Sequence, residues 1–156
     1  MNHRWPGEGD DSVGLNNVNS HVPGVNFASE DEGREFLRQP ARGDKGYSMA
    51  FHLVAFILNN QLACLADVRD RDVTDVDGDS DPENMLEIKA YAQEWLAESG
   101  WTMDGPALDS WIVPSATVSD GEVLKDLLDQ YNNRTLFDGC SCEDEIDQEN
   151  VTGGGR

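Results

Sequence analysis

The chain has 156 residues, which is enough for one domain with a buried core. It carries 31 acidic and 11 basic residues, a formal net charge of −20, and only three of the basic residues are Lys. No basic stretch is present to displace phosphate counterions. We therefore expect no direct binding to nucleic acid or to an anionic membrane.

Two explanations of the acidity remain open. An acidic, Lys-poor surface suits a salt-adapted cytoplasm, whereas dense clusters of acids suit a partner with a basic surface. The charge is spread along the chain but is densest in two short segments. Residues 67–83 contain eight acids and two Arg, and residues 138–149 contain six acids and no base.

The first 27 residues are rich in Gly, Asn, Ser and Pro and show no hydrophobic period. This composition predicts an extended or disordered arm over residues 1–27. The segment has no apolar run of signal-peptide length, so we expect a cytoplasmic protein, or a virion component if the source is viral. We predict a helical domain over residues 28–137 and an acidic flexible tail over residues 138–156.

A capping box of Ser29 and Glu32 predicts a short helix that Pro40 ends. The loop that follows contains Arg42-Gly43-Asp44, a tripeptide known from integrin ligands. Without an export signal, we interpret it as a chance occurrence.

The most apolar stretch runs from Tyr47 to Val68 and is expected to form the core. Its apolar residues fall on every face, which favours a helix that is buried all round, with Ser48 as its N-cap. A β-hairpin that turns at Asn59-Asn60 is the alternative. We expect His52 to be a hydrogen-bonded ring at the edge of this core.

Alternating Asp residues in the acidic segment 67–83 suggest a cation site. In the twelve-residue calcium loop, Gly78 at the sixth place puts Asp75 and Asp77 at the third and fifth. Val73 and Asn84 then occupy the first and twelfth places, so two strong ligands are missing. The weak candidates for a Ca²⁺ or Mg²⁺ site are Asp75, Asp77 and Asp79.

Two further helices have clear signals. Asp81 and Pro82 begin one that Gly100 ends, and it carries Trp95 on its apolar face. Ser119 begins the other as the first residue of a second capping box. Between the two helices, Trp111-Ile112-Val113 is a candidate short strand.

No catalytic constellation is present in the sequence. Glu87 and Lys89 resemble part of a Mg²⁺-dependent nuclease motif, but on a helix they point to different sides. Cys140 and Cys142 form the only close pair of cysteines, and a zinc site needs a second such pair. We therefore expect no cofactor beyond weak Ca²⁺ or Mg²⁺ binding.

The sequence thus predicts a mainly α protein of three to four helices with one candidate short strand. Our first hypothesis is a non-enzymatic protein that binds a basic protein surface, such as an inhibitor, an immunity-type protein, a nucleic-acid mimic or a viral or mobile-element accessory protein. A self-assembling structural protein from a salt-adapted host or its virus is the alternative. A metal-dependent hydrolase is a minor one.

The residues predicted to contact a basic partner belong to the two acidic segments. They are Asp70, Asp72, Asp75, Asp77, Asp79, Asp81, Glu143, Asp144, Glu145 and Asp147.

Overall fold

The computed structural model describes residues 18–59 and 71–133. The helices are α1 (Glu30–Arg38), α2 (Lys45–Asn59), α3 (Met85–Ser99) and α4 (Gly121–Asn132), and a two-stranded antiparallel sheet pairs β1 (Asp72–Thr74) with β2 (Glu83–Asn84). The protein is mainly α, as predicted. Among these residues, no helix is long and apolar enough to cross a membrane.

Helix α2 is the centre of the fold and is buried on nearly every side. All residues from Leu53 to Asn59 are buried, and α3 and α4 both pack on this helix. The hairpin alternative is therefore wrong over the described residues 47–59. The rest of the predicted core segment, residues 60–68, lies outside the described residues.

The start of α2 differs from the prediction. The carboxylate of Asp44 accepts the backbone N–H groups of Gly46 and Tyr47, at 3.0 and 3.2 Å, so Asp44 caps the helix instead of Ser48. It also accepts the backbone N–H of Leu108 at 3.0 Å. This long-range contact explains the earlier start of the helix, because it fixes Asp44 against a loop distant in sequence.

Helices α3 and α4 cover α2 with large side chains. Trp95 and Tyr131 are completely buried, and the Tyr131 ring lies 4.8 Å from that of Phe56, measured between centroids. The indole N–H of Trp95 donates to the carbonyl oxygens of Trp111 and Ser119, at 2.9 and 3.2 Å. The buried indole is thus fully bonded and anchors the loop between α3 and α4.

The predicted N-terminal arm is too long. A helical turn covers residues 18–21, and Val18, Val22, Val25 and Phe27 are buried in the same core as α2. The Phe27 ring packs on that of Phe36 in α1, with the centroids 5.2 Å apart. Residues 18–27 therefore belong to the domain, because their sparse apolar side chains all reach the core; residues 1–17 lie outside the described residues.

The predicted strand at Trp111–Val113 is reduced to a single bridge between Ile112 and Asp120. Asp120 also caps α4, one residue after the predicted Ser119. The two strands of the described chain, β1 and β2, lie instead on either side of the Asp-rich loop of residues 75–82. Helix α3 begins at Met85, later than predicted, because Glu83 and Asn84 pair with β1.

Candidate functional site

Four carboxylates converge at the loop between β1 and β2. They belong to Asp75, Asp77, Asp79 and Glu83, and each offers an oxygen that lies within 4.8 Å of those of the others. We call these four residues the acidic cluster. The three Asp were candidates from the sequence, and the structure brings them together.

The loop folds around its own Asp side chains. The Asp75 carboxylate accepts the backbone N–H groups of Gly78 and Ser80, each at 2.9 Å. Asp77 accepts the N–H of Asp79 at 3.1 Å. Such bonds to the backbone two to five residues ahead are typical of Asp in turns, and they fix the orientation of these carboxylates.

Two residues of the loop take left-handed backbone conformations, Gly78 with φ 82° and Ser80 with φ 79°. In the calcium loop the sixth place requires such a turn. With Ser80 at the sixth place, Asp75, Asp77 and Asp79 occupy the first, third and fifth. This register lies two residues after the sequence-based one, which put Gly78 sixth, and it places all three Asp at ligand positions.

Glu83 is the buried member of the acidic cluster, and sequence reasoning missed it. Only 4 % of Glu83 is exposed, and its Oε1 accepts the N–H of Val76 at 2.7 Å. Burial raises the pKa of Glu83, and the nearby charges of Asp77, Asp79 and Asp75 raise it further. In the sequence it resembles an ordinary acid of a first helical turn, and only the pairing of β2 with β1 turns it towards the Asp residues.

Helix α3 contributes one more polar group to the acidic cluster. The Tyr91 hydroxyl donates to Asp77 Oδ2 at 2.7 Å. This bond lowers the pKa of Asp77 and is the main reason why the pKa of Tyr91 is raised to about 12. Tyr91 thereby ties the loop to the helix that packs on the core.

The acidic cluster has no charge partner among the described residues, because none of their basic side chains forms a salt bridge with it. Like charges held this close together repel each other even in water. Convergent carboxylate oxygens are the ligands that Ca²⁺ and Mg²⁺ prefer. The arrangement can therefore hold a divalent cation, and the repulsion favours one.

The other predicted contact residues divide into two groups. Asp72, in β1, and Asp81, after the loop, are exposed and lie outside the acidic cluster. The Asp81 N–H instead donates to Asp79 at 2.8 Å. The predicted contact residues that lie outside the described part of the chain are Asp70, Glu143, Asp144, Glu145 and Asp147.

His52 is bonded at the edge of the core, as predicted. Its Nδ1 lies 2.7 Å from the carbonyl oxygen of Ser48, and its Nε2 lies 3.5 Å from Asp129 Oδ1. Because a carbonyl can only accept, Nδ1 carries a proton. His52 therefore links α2 to α4 across their interface.

Two other sequence motifs have structural roles. Asp44 of the Arg-Gly-Asp tripeptide is engaged by backbone and indole N–H groups. Glu87 forms a capping box with Asn84 at the start of α3, in which its carboxylate accepts the backbone N–H of Asn84.

Comparison with known proteins adds no family to these observations. No protein-family model, curated protein or solved structure matches the chain.

Proposed function

We propose that this protein is a non-enzymatic binding protein and that its acidic cluster binds a divalent cation, with Ca²⁺ preferred. The observation that carries the proposal is the convergence of Asp75, Asp77, Asp79 and Glu83 within 4.8 Å, with no salt bridge to any basic side chain in the described part of the chain. A cation would remove the repulsion among these carboxylates. It would also give buried Glu83 the opposite charge that an ionised buried group needs.

The preference for Ca²⁺ follows from the kind of ligands that the loop offers. Ca²⁺ accepts six to eight oxygen ligands in flexible geometry, whereas Mg²⁺ demands a near-ideal octahedron and keeps several waters. The acidic cluster supplies carboxylates from a loop whose Asp side chains are already oriented by backbone N–H groups. The twelfth place of the calcium loop, where a bidentate Glu belongs, is Leu86, so water would complete the shell and the affinity should be modest.

Calorimetric titration of the full chain with Ca²⁺ and with Mg²⁺ tests the proposal. We expect one Ca²⁺ per chain, weaker Mg²⁺ binding, and at least a tenfold loss of Ca²⁺ affinity in the double variant Asp77→Asn/Asp79→Asn, an effect of about 1.4 kcal/mol. The matched control is Asp104→Asn/Asp109→Asn, which removes the same charge from exposed positions. Absence of Ca²⁺ binding by the wild type, or equal losses in both variants, would overturn the proposal.

A second candidate is the binding of a basic protein surface. The observation that favours it is the exposure of acids on and around the loop, with Asp72, Asp75, Asp79 and Asp81 all open to solvent. A Lys or Arg of a partner would then occupy the place of the cation. Salt screens such contacts, so they should weaken as ionic strength rises.

Affinity capture from cell lysate at low and high salt separates the two candidates. The second candidate is supported by a partner that binds the wild type at low salt and is released both by high salt and by Ca²⁺. If Asp77→Asn/Asp79→Asn retains the same partner equally well, the acidic cluster is not the contact surface. If no salt-sensitive partner is captured, the second candidate fails while the calorimetric result for Ca²⁺ stands.

A further inference from the structure

A small basic surface interrupts the acidic exterior around Trp111. The Nζ atoms of Lys45 and Lys125 lie 5.9 and 5.6 Å from the centroid of the Trp111 ring, within the range of cation–π attraction. Two of the three lysines of the chain thus meet at one aromatic side chain. We call Lys45, Trp111 and Lys125 the Lys–Trp patch.

The structure holds the Lys–Trp patch in place. The Trp111 ring packs against buried Trp95, with the centroids 5.6 Å apart. Its carbonyl oxygen accepts the N–H of Gly121, at the start of α4, at 2.8 Å. The backbone N–H of Lys45 donates to the carbonyl oxygen of Leu108 at 2.9 Å. The start of α2, the loop before α4 and α4 itself therefore converge at this surface.

The cationic groups of the Lys–Trp patch are available to an acidic ligand. Lys45 forms no salt bridge with any described carboxylate. Lys125, whose side chain is 23 % exposed, pairs with its neighbour Asp126 at 2.7 Å, and the Asp126 carboxylate is 54 % exposed. Asp126 is the exposed partner, and ion pairs at the protein surface contribute little to stability, so another carboxylate can displace Asp126.

We propose that residues 143–147 of this chain dock on the Lys–Trp patch. Their sequence, Glu-Asp-Glu-Ile-Asp, joins four acids to one apolar side chain, Ile146. The acids complement the two lysines, and Ile146 supplies an apolar group to pack on the exposed part of Trp111. The segment from 138 to 149 contains no base that would compete for these acids.

The chain is long enough for this contact. The described residues end at Asn133, and Lys125 lies eight residues earlier, about 12 Å back along the helix. The ten residues 134–143 can span up to about 33 Å when extended. Residues 143–147 are therefore within reach of the Lys–Trp patch. Docked there, it covers Trp111 and keeps its own acids away from other basic surfaces.

Carbodiimide cross-linking of the full chain at low salt, followed by peptide mass spectrometry, tests the proposal. The reagent joins a lysine to a carboxylate in direct contact, and an equal mixture of ¹⁴N- and ¹⁵N-labelled protein separates links within one chain from links between chains. We expect links from Lys45 or Lys125 to residues 143–147 within one chain, and their loss in molar salt. Lys89, the remaining lysine, serves as the internal control.

Three results of this experiment would overturn the proposal. The first is that no such links form although Lys125 and Asp126 are joined, which shows that the reagent has reacted. The second is that residues 143–147 link equally to Lys89. The third is that only mixed-isotope links form, which would mean that the segment docks on a second copy. A variant that keeps the charge but removes the apolar contact, Ile146→Ser, should give fewer links. The matched control Val151→Ser, outside the docking segment, should give the wild-type yield.

Discussion

The second oxygen of the Asp44 carboxylate accepts the indole N–H of Trp101 at 3.1 Å, while the first caps helix α2. One side chain thus joins the start of the central helix to a buried aromatic residue 57 positions away. The Trp101 ring also covers Gly46 so closely that a Cβ there would lie 2.3 Å from it. The start of α2 is therefore defined by tertiary contacts as much as by local sequence.

We expect Asp44→Ala to destabilise the protein by about 2–4 kcal/mol. It removes an N-cap, which costs about 1 kcal/mol, and leaves the buried indole N–H of Trp101 unbonded, which costs about 1–3 kcal/mol. Asp44→Asn should cost less, because the amide oxygen can still accept the helix N–H groups. Urea unfolding measures the effect, with Asp104→Ala at an exposed position as control. Equal stability of Asp44→Ala and this control would contradict the prediction.

Replacing Gly121 tests the packing of α4 on α3. A Cβ at this position would lie 2.4 Å from Cε2 of Trp95, which is completely buried and held by two hydrogen bonds. Since the ring cannot move freely, Gly121→Ala should cost about 1–3 kcal/mol through overpacking and should change the near-ultraviolet circular dichroism. Glu122→Ala, at the next and exposed position, should stay within about 0.5 kcal/mol of wild type. An unchanged unfolding midpoint in Gly121→Ala would show that the helix shifts at no cost.

The helices could be predicted from the sequence, and so could the Ser29 cap of α1, but the exact starts of α2, α3 and α4 could not. Apolar side chains at helical spacing identified α3 and α4, and apolar side chains on every face identified α2, because burial of these side chains dominates the energetics. The predicted caps Ser48, Asp81 and Ser119 all gave way to nearby residues. Suitable cap residues are frequent before each helix, and contacts distant in sequence select among them.

The candidate site shows the same limit. The alternating Asp residues predict a cation site in the loop, but Glu83 lies beside them only because β2 pairs with β1. The irregular pairing, in which Asp72 faces Asn84 and Thr74 faces Glu83, has no strong signal in so short a segment. Likewise, Val18, Val22 and Val25 are too sparse among polar residues to predict that they reach the core.

The His52–Asp129 contact predicts a dependence of stability on pH. The hydrogen bond from His52 lowers the pKa of Asp129 below its ordinary value, and the charges of His52 and Lys125 add to this effect. A carboxyl whose pKa is lower in the folded state stabilises the protein above its unfolded pKa of about 3.9, and this contribution is lost as the pH falls through the folded pKa. Asp129→Asn should therefore be less stable than wild type at pH 6, and the difference should disappear towards pH 2.

Because the Asp129 side chain is 47 % exposed, the difference at pH 6 should be below about 1 kcal/mol. Urea unfolding at several pH values measures it. Asp126→Asn, which removes an acid one turn of the same helix away, serves as the control and should show a smaller change with pH. A constant difference between Asp129→Asn and wild type across this range would exclude the ion pair as its cause.

Glu83 predicts opposite effects of pH in the absence and presence of Ca²⁺. Burial and neighbouring carboxylates raise its pKa, so the folded state binds a proton more tightly than the unfolded chain does. Without Ca²⁺, ionised Glu83 therefore lowers the stability once the pH rises above its unfolded pKa of about 4.3, and Glu83→Gln should be the more stable protein at pH 7. The advantage of the variant should disappear as the pH falls below 4, because wild-type Glu83 is then protonated in both states.

With Ca²⁺ at saturation the order of stability of the two proteins should reverse at pH 7, since the ion stabilises only the protein that retains the buried carboxylate. Thermal unfolding at pH 4 and pH 7, with and without Ca²⁺, measures all four conditions, and a wild type that Ca²⁺ stabilises no more than Glu83→Gln would show that this carboxylate does not bind the ion.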